Sequence, residues 1–127
     1  MKTSFEELKQ TIATLRGPDG CPWDKKQTHE SLIKCLQNES QELIDAIHHK
    51  DDENMKEELG DVLLQVLMHA QIAQEEGKFS IDDVVAYLDD KLHRRHPHVF
   101  GDHAKAATAE EALAVWREMK KKERETK

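Results

Sequence analysis

Apolar residues recur along this chain at helical spacing, in segments that begin with a capping residue and end near a glycine, a proline or a polar turn. Ser4 with Glu7, and Thr108 with Glu111, are capping boxes, in which a hydroxyl and a carboxylate satisfy the first N–H groups of a helix. The helices that this pattern predicts cover, in approximate bounds, residues 4–16, 28–49, 53–76, 80–96 and 108–125. Between the first two, residues 17–27 form a loop with two of the three prolines.

The third predicted helix carries apolar residues around most of its circumference. They are Leu59, Val62, Leu63, Leu64, Val66, Leu67 and Met68. A helix that is apolar on nearly all sides must be buried on nearly all sides, and the other helices of so small a chain can hardly surround it. The sequence therefore predicts a homo-oligomer, a dimer or a tetramer, with its interface built on this helix.

The composition favours an all-α bundle. The chain has 127 residues, only 5 glycines and 3 prolines, and 5% aromatic residues, whereas turn-rich β-folds need far more turn residues. We expect a single domain over residues 1–127, with a core at about 5–100 and a C-terminal helix at about 108–125.

Charge and hydropathy narrow the function classes. The net charge of −7 disfavours a nucleic-acid binder, which needs a basic face to displace counterions. No apolar run approaches the roughly 20 residues that span a bilayer, and the N-terminal segment lacks the apolar core of a signal peptide. Two cysteines make no disulfide framework. We therefore expect a cytoplasmic protein with reduced thiols and no membrane partner.

Two pairs of acidic residues border apolar faces of the second and third predicted helices. Glu39 and Glu42 lie one turn apart on the second helix, and Glu58 and Asp61 have the same spacing on the third. At about 100° per residue, Glu39 falls within the apolar stripe of its helix, and Val62 lies about 40° from Glu58. Both pairs therefore stand beside an apolar core.

A short turn near residue 51 makes these two helices antiparallel, so the two acidic pairs face each other at similar heights. Four such charges repel and burial penalises each ionised form, so a cation must compensate them. Oxygen-only ligands suit hard cations, Mg²⁺ or Mn²⁺, and Mg²⁺ held this way completes its shell with water and substrate phosphates. The alternative is that these acids face solvent and pair with lysines, since chance pairs are common among 26 acidic residues.

A longer motif surrounds these carboxylates. Asn38-Glu39-x-x-Glu42, followed after fifteen residues by Glu58-x-x-Asp61, resembles the signature of the MazG-type nucleoside triphosphate pyrophosphohydrolases, which is usually Glu-Glu-x-x-Glu and then Glu-x-x-Asp. Further segments that are similar to the family, among them Cys-Pro-Trp-Asp and Arg-Arg-His-Pro-His-Val-Phe-Gly, lie at 20–24, 27–32, 57–61, 69–73 and 94–101. The resemblance covers nearly the whole chain.

The resemblance implies the all-α NTP pyrophosphatase fold, completed by dimerisation. It implies Mg²⁺-dependent hydrolysis of nucleoside triphosphates to the monophosphate and pyrophosphate, with a housecleaning role in the nucleotide pool. The positions that match catalytic and metal-binding residues are Glu39, Glu42, Glu58 and Asp61. The positions that match substrate contacts are Lys91 and Arg95 for the phosphates and Trp116 near the nucleotide.

This chain departs from the family pattern at one position of the site. Asn38 stands where the first Glu is usual, which removes one carboxylate at the edge of the cluster. The chain also resembles the N-terminal one of the two repeats in longer members. Two other functions therefore stay open: a homologue that binds nucleotide or metal with little or no turnover, and a structural helical dimerisation module.

The substrate-binding candidates have alternative interpretations of their own. Lys91 and Arg95 are four residues apart and share a helix face, as a phosphate clamp or as a solvated basic helix end. Trp23 and Trp116 offer flat faces to a base, or anchor a core. The histidines at 93, 96, 98 and 103 lack regular ligand spacing, so capping and loop hydrogen bonds are the favoured interpretation over a zinc site.

Overall fold

The computed structural model describes residues 3–125, and within this range the chain forms seven helices and no strand, so the all-α prediction is confirmed. The helices are α1 (Phe5–Leu15), α2 (Pro22–Lys25), α3 (Ile33–His48), α4 (Asp52–Glu75), α5 (Ile81–Arg95), α6 (Pro97–Phe100) and α7 (Ala109–Glu125). No helix in the described range has both the length and the apolar character that crossing a membrane requires.

The predicted capping residues begin two of the long helices. The Ser4 hydroxyl accepts a hydrogen bond from the Glu7 N–H at 3.1 Å, and the Thr108 hydroxyl accepts one from the Glu111 N–H at 3.1 Å. Gly77 follows the end of α4 with φ of 72°, the left-handed conformation that glycine adopts without strain. The observed bounds of these helices therefore lie within a residue or two of the predicted ones.

Two predictions about the region before α3 are wrong. The second helix starts at Ile33 and not at Thr28, and the expected loop at 17–27 contains the short helix α2. Thr28 and Ser31 exchange hydrogen bonds, each hydroxyl accepting from the other residue's N–H, at 2.8 and 3.1 Å. This exchange closes a separate turn before α3. Pro22 starts α2 and Pro97 starts the equally unpredicted α6, because proline's fixed φ suits a first helical position.

The α3–α4 hairpin is the centre of the first half of the chain, and its joint is tightly defined. The N–H of Lys50 donates to the Ile47 carbonyl and that of Asp51 to the Ala46 carbonyl, which ends α3 with Lys50 in the left-handed region at φ 54°. The Asp51 carboxylate then accepts from the Asn54 N–H at 3.2 Å and starts α4. One residue thus ends one helix and caps the next.

Contacts divide the chain into two compact units, one ending at Ile81 and the other beginning at Asp82. In the first unit, α1 also packs on α4, and the buried apolar residues are Ile12, Leu32, Ala46, Leu67, Met68, Ala70, Ile72, Ala73 and Ile81. In the second unit, α6 packs on α7, which contributes the buried Val115.

The two hairpin helices keep apolar side chains in solvent. On α3 these are Ile33, Leu36, Ile44 and Ile47, which share one face at helical spacing, and on α4 they are Leu59, Leu63, Leu64 and Val66. Each is at least 38% exposed. Within α4 the longest segment that is buried or half-buried at every position is 67–73, although the apolar pattern from residue 59 onwards predicts burial before this segment as well.

Candidate active site

The α3–α4 hairpin brings four carboxylates together. Glu39 and Glu42 project from α3, and Glu58 and Asp61 from α4. One oxygen of each lies within 4.8 Å of one oxygen of every other. Within residues 3–125 this is the one group of three or more His, Cys, Asp and Glu side chains that are arranged to hold a metal ion. The convergence follows from the spacing in sequence, because residues three apart share a helix face and the short joint fixes the register.

Burial differs sharply among the four acids. Glu58 is only 8% exposed, Glu39 and Asp61 are half-buried, and Glu42 faces solvent. One carboxylate oxygen of Glu39 and one of Glu58 are buried without any hydrogen-bond partner. Buried polar atoms are almost always paired, so two orphaned oxygens in one cluster indicate a place where a cation or water belongs.

The electrostatics of the four-carboxylate cluster also indicate a place for a cation. The pKa of Glu58 is raised to about 7, first by burial and then by a hydrogen bond with Glu42 and the charges of Glu42, Asp61 and Glu39. Burial, followed by the charge of Glu42, also raises the pKa of Glu39. Among the described residues, no lysine or arginine pairs with these acids. An oxygen-rich set with surplus negative charge fits a hard divalent cation.

In the second unit, the sequence-predicted phosphate contacts lie around the predicted aromatic. The Cζ of Arg95 lies 4.8 Å, and the Nζ of Lys91 5.9 Å, from the centre of the Trp116 ring, distances at which a cation is attracted to the ring face. The structure thus brings Lys91, Arg95 and Trp116 together. Arg95 also binds Glu123 of α7, a partner that sequence reasoning missed.

Trp23 lies on the short helix α2 of the first unit and is 63% exposed. The Nζ of Lys26 lies 5.1 Å from the centre of its ring. This exposure rules out the alternative that Trp23 anchors the core of this chain, and it leaves a large flat face in solvent. Whether that face meets a base stays a prediction.

The segment that carries Trp23 is held by Arg16, which the sequence analysis did not single out. Its guanidinium forms two hydrogen bonds with the Glu75 carboxylate, at 2.8 and 2.9 Å, and also donates to the carbonyls of Asp24 and Gln27. The Gln27 amide in turn donates to the Trp23 carbonyl at 2.9 Å. In the sequence, the only sign of this role is that Arg16 is a basic residue at the end of α1, just before Gly17. Its partner Glu75 could not be identified, because it lies 59 residues further along the chain.

A second missed contact ties the turn before α3 to α4. The Nδ1 atoms of His29 and His69 are 2.7 Å apart, and the two ring planes are nearly parallel, with centres 5.0 Å apart. The Nε2 atom of His29 lies 3.4 Å from Glu76, and the buried Nε2 of His69 has no partner. His69 therefore donates from Nδ1 to His29, because a proton on its Nε2 would be buried without an acceptor.

The histidines of the second unit contact neighbouring backbone and rings. The Nδ1 atoms of His93, His96 and His103 lie within 2.8 Å of the carbonyl oxygens of Asp89, Leu92 and Ala104, respectively. The ring of His96 meets Trp116 edge-on, with centres 5.3 Å apart. These contacts are the capping and packing interactions of a helix end.

Comparison with known proteins defines the class. Residues 27–100 match the family model described as MazG nucleotide pyrophosphohydrolase domain. A crystal structure of a MazG-related protein from Thermotoga maritima matches with a TM-score of 0.74 and 32% identity, over 91% of this chain and 98% of that one. The chain therefore belongs to the MazG nucleotide pyrophosphohydrolase domain family.

Curated relatives are similar over most of this chain. The nucleoside triphosphate pyrophosphohydrolase/pyrophosphatase MazG of Thermotoga maritima is 63% identical over 77% of this chain, and the nucleoside triphosphate pyrophosphohydrolase of Escherichia coli strain K12 is 45% identical over 97%. The chain spans only 38% and 47% of the length of these two proteins.

Proposed function

We propose that this protein hydrolyses nucleoside triphosphates to the nucleoside monophosphate and pyrophosphate, with Mg²⁺ held by Glu39, Glu42, Glu58 and Asp61. The observation that carries the proposal is the four-carboxylate cluster with its two buried, unpartnered oxygens. Membership of the MazG family and the names of its relatives support the reaction class. Mn²⁺, another hard divalent ion, is the expected substitute.

In this reaction the oxygen of a water forms a bond to the α-phosphorus while the bond from that phosphorus to the bridging oxygen breaks, and pyrophosphate leaves. Bound Mg²⁺ would supply positive charge that orients the phosphates and lowers the pKa of water. The carboxylates of Glu39, Glu42, Glu58 and Asp61 would hold this charge in place, and one of them would accept the single proton that the water loses. Lys91 and Arg95 balance the charge of the leaving pyrophosphate, and the faces of Trp23 and Trp116 are the candidate base contacts.

The cellular role that fits this reaction is housecleaning of the nucleotide pool in the cytoplasm. The alternative function is binding of nucleotide or metal with little or no turnover. The exposed Asn38 favours this alternative, because the family pattern usually has a carboxylate at that position. We also propose that residues 1–127 form a single MazG-like domain.

A pyrophosphate-release assay over canonical, deoxy and damaged nucleotides tests the proposal. We expect pyrophosphate and monophosphate in equal amounts, with turnover that requires Mg²⁺ and is abolished by a chelator. Mg²⁺ should also raise the melting temperature by mass action. Thermal stabilisation without product release would favour the binding homologue, and no effect of Mg²⁺ on melting would favour the purely structural module.

We further propose that the protein is a homo-oligomer, a dimer at least, built on the hairpin helices. The apolar side chains that α3 and α4 expose support this, because monomers rarely keep such patches in water. Gly60 adds to the argument: it interrupts the middle of α4, where glycine is costly, and a Cβ there would meet nothing in this chain. Light scattering that finds a folded monomer at micromolar concentration would exclude it.

A further inference from the structure

Two side chains of α7, Trp116 and Glu123, contact the guanidinium of Arg95. Trp116 and Glu123 are seven residues apart, so they lie two turns apart on the same side of the helix. The Trp116 ring lies 4.8 Å from the Arg95 Cζ, and the Glu123 carboxylate accepts from the Arg95 Nε at 3.1 Å and from one Nη at 3.5 Å. The Arg95 side chain is only 13% exposed.

Glu123 is itself fixed by a second arginine. The Nη1 of Arg94 lies 2.5 Å from one Glu123 oxygen, and the Nε of Arg94 donates to Asp90 at 2.7 Å. The hydrogen bond from Arg95, followed by that from Arg94, holds the pKa of Glu123 below its ordinary range. The carboxylate therefore stays ionised and in place between two guanidinium groups that neighbour each other on α5.

The ion pair with Glu123 limits the orientations that Arg95 can adopt beside Lys91. Lys91 and Arg95 approach the same ring and repel each other, and a long arginine side chain has many rotamers. Ion pairing through Nε and one Nη fixes the plane of the Arg95 fork and so sets the direction of its remaining N–H groups. Free of Glu123, the same guanidinium would sample several orientations.

We propose that Glu123 is a positioning residue for the triphosphate: it orients Arg95 so that the outer edge of the guanidinium meets phosphate oxygens. The inference rests on the proposed function, in which Arg95 contacts the phosphates. Glu123 makes no contact with the substrate in this proposal, and Arg94 assists it by holding the carboxylate.

Steady-state kinetics of Glu123→Gln test the proposal, because glutamine keeps the size of the side chain and removes its charge. We expect KM for the triphosphate to rise about 5- to 20-fold while kcat changes less than about 2-fold, since substrate contacts weaken and the carboxylate cluster is untouched. Glu123→Asp, which keeps the charge, should restore most of the affinity. Glu118→Gln, on the same helix but paired with Lys122, is the matched control and should leave both constants unchanged.

Fluorescence gives a readout that does not need turnover. The chain has two tryptophans, so in a Trp23→Phe background Trp116 is the sole tryptophan, and its emission, excited beyond the absorption of tyrosine, reports the cation over its ring. We expect Glu123→Gln to shift this emission and to weaken triphosphate binding measured by the same signal. If the wild type binds triphosphate but releases no pyrophosphate, the proposed function fails while this emission and binding test still decides the positioning role.

Two outcomes would overturn the proposal. An unchanged or lowered KM in Glu123→Gln would mean that Glu123 only pairs with Arg95, or competes with phosphate for it. A lowered melting temperature without any change in binding or in Trp116 emission would make the contact purely structural. Should Glu123→Gln fail to fold, Arg94→Gln loosens the same carboxylate from its other side, and an unchanged affinity in that variant would count against the proposal.

Discussion

The acidic cluster of the first unit and the basic cluster of the second handle charge in opposite ways. Four carboxylates gather on α3 and α4, and no lysine or arginine of residues 3–125 forms an ion pair with them; burial and the neighbouring carboxylates together raise the pKa of Glu58 to about 7. On α5 and α7, by contrast, Arg94 and Arg95 share the Glu123 carboxylate, and Trp116 accepts two cations on its ring.

The difference shows which cluster needs a ligand from outside the chain. Like charges that no residue in the described range compensates are costly, and in the proposed function a divalent cation would compensate those of the acidic cluster. In the basic cluster Arg94 and Arg95 are already ion-paired, so an anion there must use the donor groups that Glu123 leaves or displace it. In the proposed function the first cluster would bind a cation through its charge, and the second would bind phosphate through the orientation of its donor groups.

The largest effect is expected when the acidic cluster loses its most buried member. Glu58→Gln should lower Mg²⁺-dependent turnover by at least about 100-fold, because a metal ligand is lost, while the metal-free protein keeps or gains stability as repulsion falls. Pyrophosphate release and thermal melting in a chelator measure the two effects. Glu57→Gln, the exposed neighbour, is the control, and full activity in Glu58→Gln would remove Glu58 from the site.

A smaller effect on binding is expected from the basic cluster. Arg95→Ala should raise KM for a triphosphate about 10- to 100-fold, because a charge-assisted pair of hydrogen bonds is lost, and should change monophosphate affinity much less. Lys91→Ala should have the weaker effect, since a lysine engages phosphate as a point charge. Titration calorimetry should find Mg²⁺ binding to the free protein intact.

Arg117→Ala, an exposed arginine of α7, provides the control for these two variants. Unfolding of Arg95→Ala would show that the ion pair with Glu123 is needed for the second unit to form. Unchanged affinity for every ligand would mean that metal alone holds the phosphates.

The pH dependence of stability should distinguish the metal-free cluster from the loaded one. Since the pKa of Glu58 is about 7 in the fold and about 4.5 in the unfolded chain, the folded protein holds an extra proton between these values. The free energy of unfolding without metal should therefore fall as pH rises from about 4.5 to about 7. Mg²⁺ should flatten or reverse this slope, and a metal-free slope of the opposite sign in urea titrations would contradict the environment assigned to Glu58.

The smallest effect concerns His69, whose pKa is lowered by burial and then by the neighbouring charge of His29. Because the fold favours neutral His69, its contribution to stability is present above the ordinary pKa of about 6.5 and is lost as pH falls below it. The free energy of unfolding thus changes with pH in the opposite direction for His69 and for Glu58. The effect of His69 on stability should therefore be measured in the Glu58→Gln background. An NMR titration in which His69 protonates at or above pH 6.5 would contradict the prediction.

Helical periodicity accounts for what the sequence predicted well. Residues three and four apart share a face whatever the surroundings, so the acidic pairs, the Lys91–Arg95 pair and most helix bounds are local properties. The short helices α2 and α6 were not predicted, because a helix of four residues is too short to show a hydrophobic period. The exposed apolar residues of α4 agree with the prediction that so small a chain can hardly surround this helix, but which of them this chain leaves uncovered depends on how the other helices pack.

Side-chain contacts between residues far apart in the sequence were not predicted either. Arg16 binds Glu75, His29 contacts His69 and Arg95 binds Glu123, and each pair is separated by at least 28 residues of chain. No spacing rule connects such positions, since their meeting depends on how the helices pack. The candidate ligands were therefore predictable from the sequence, whereas the residues that hold the surrounding segments in place were not.

The joint at Asp51 has a consequence for insertions and deletions. Because this residue ends α3 with its N–H and starts α4 with its carboxylate, the fifteen residues between Glu42 and Glu58 fix the relative position of the two acidic pairs. One residue added within either helical arm turns the distal carboxylates by about 100° and moves them by about 1.5 Å along the axis. A homologue with a different count between its two acidic motifs should have lost the four-carboxylate geometry, even with every acid retained.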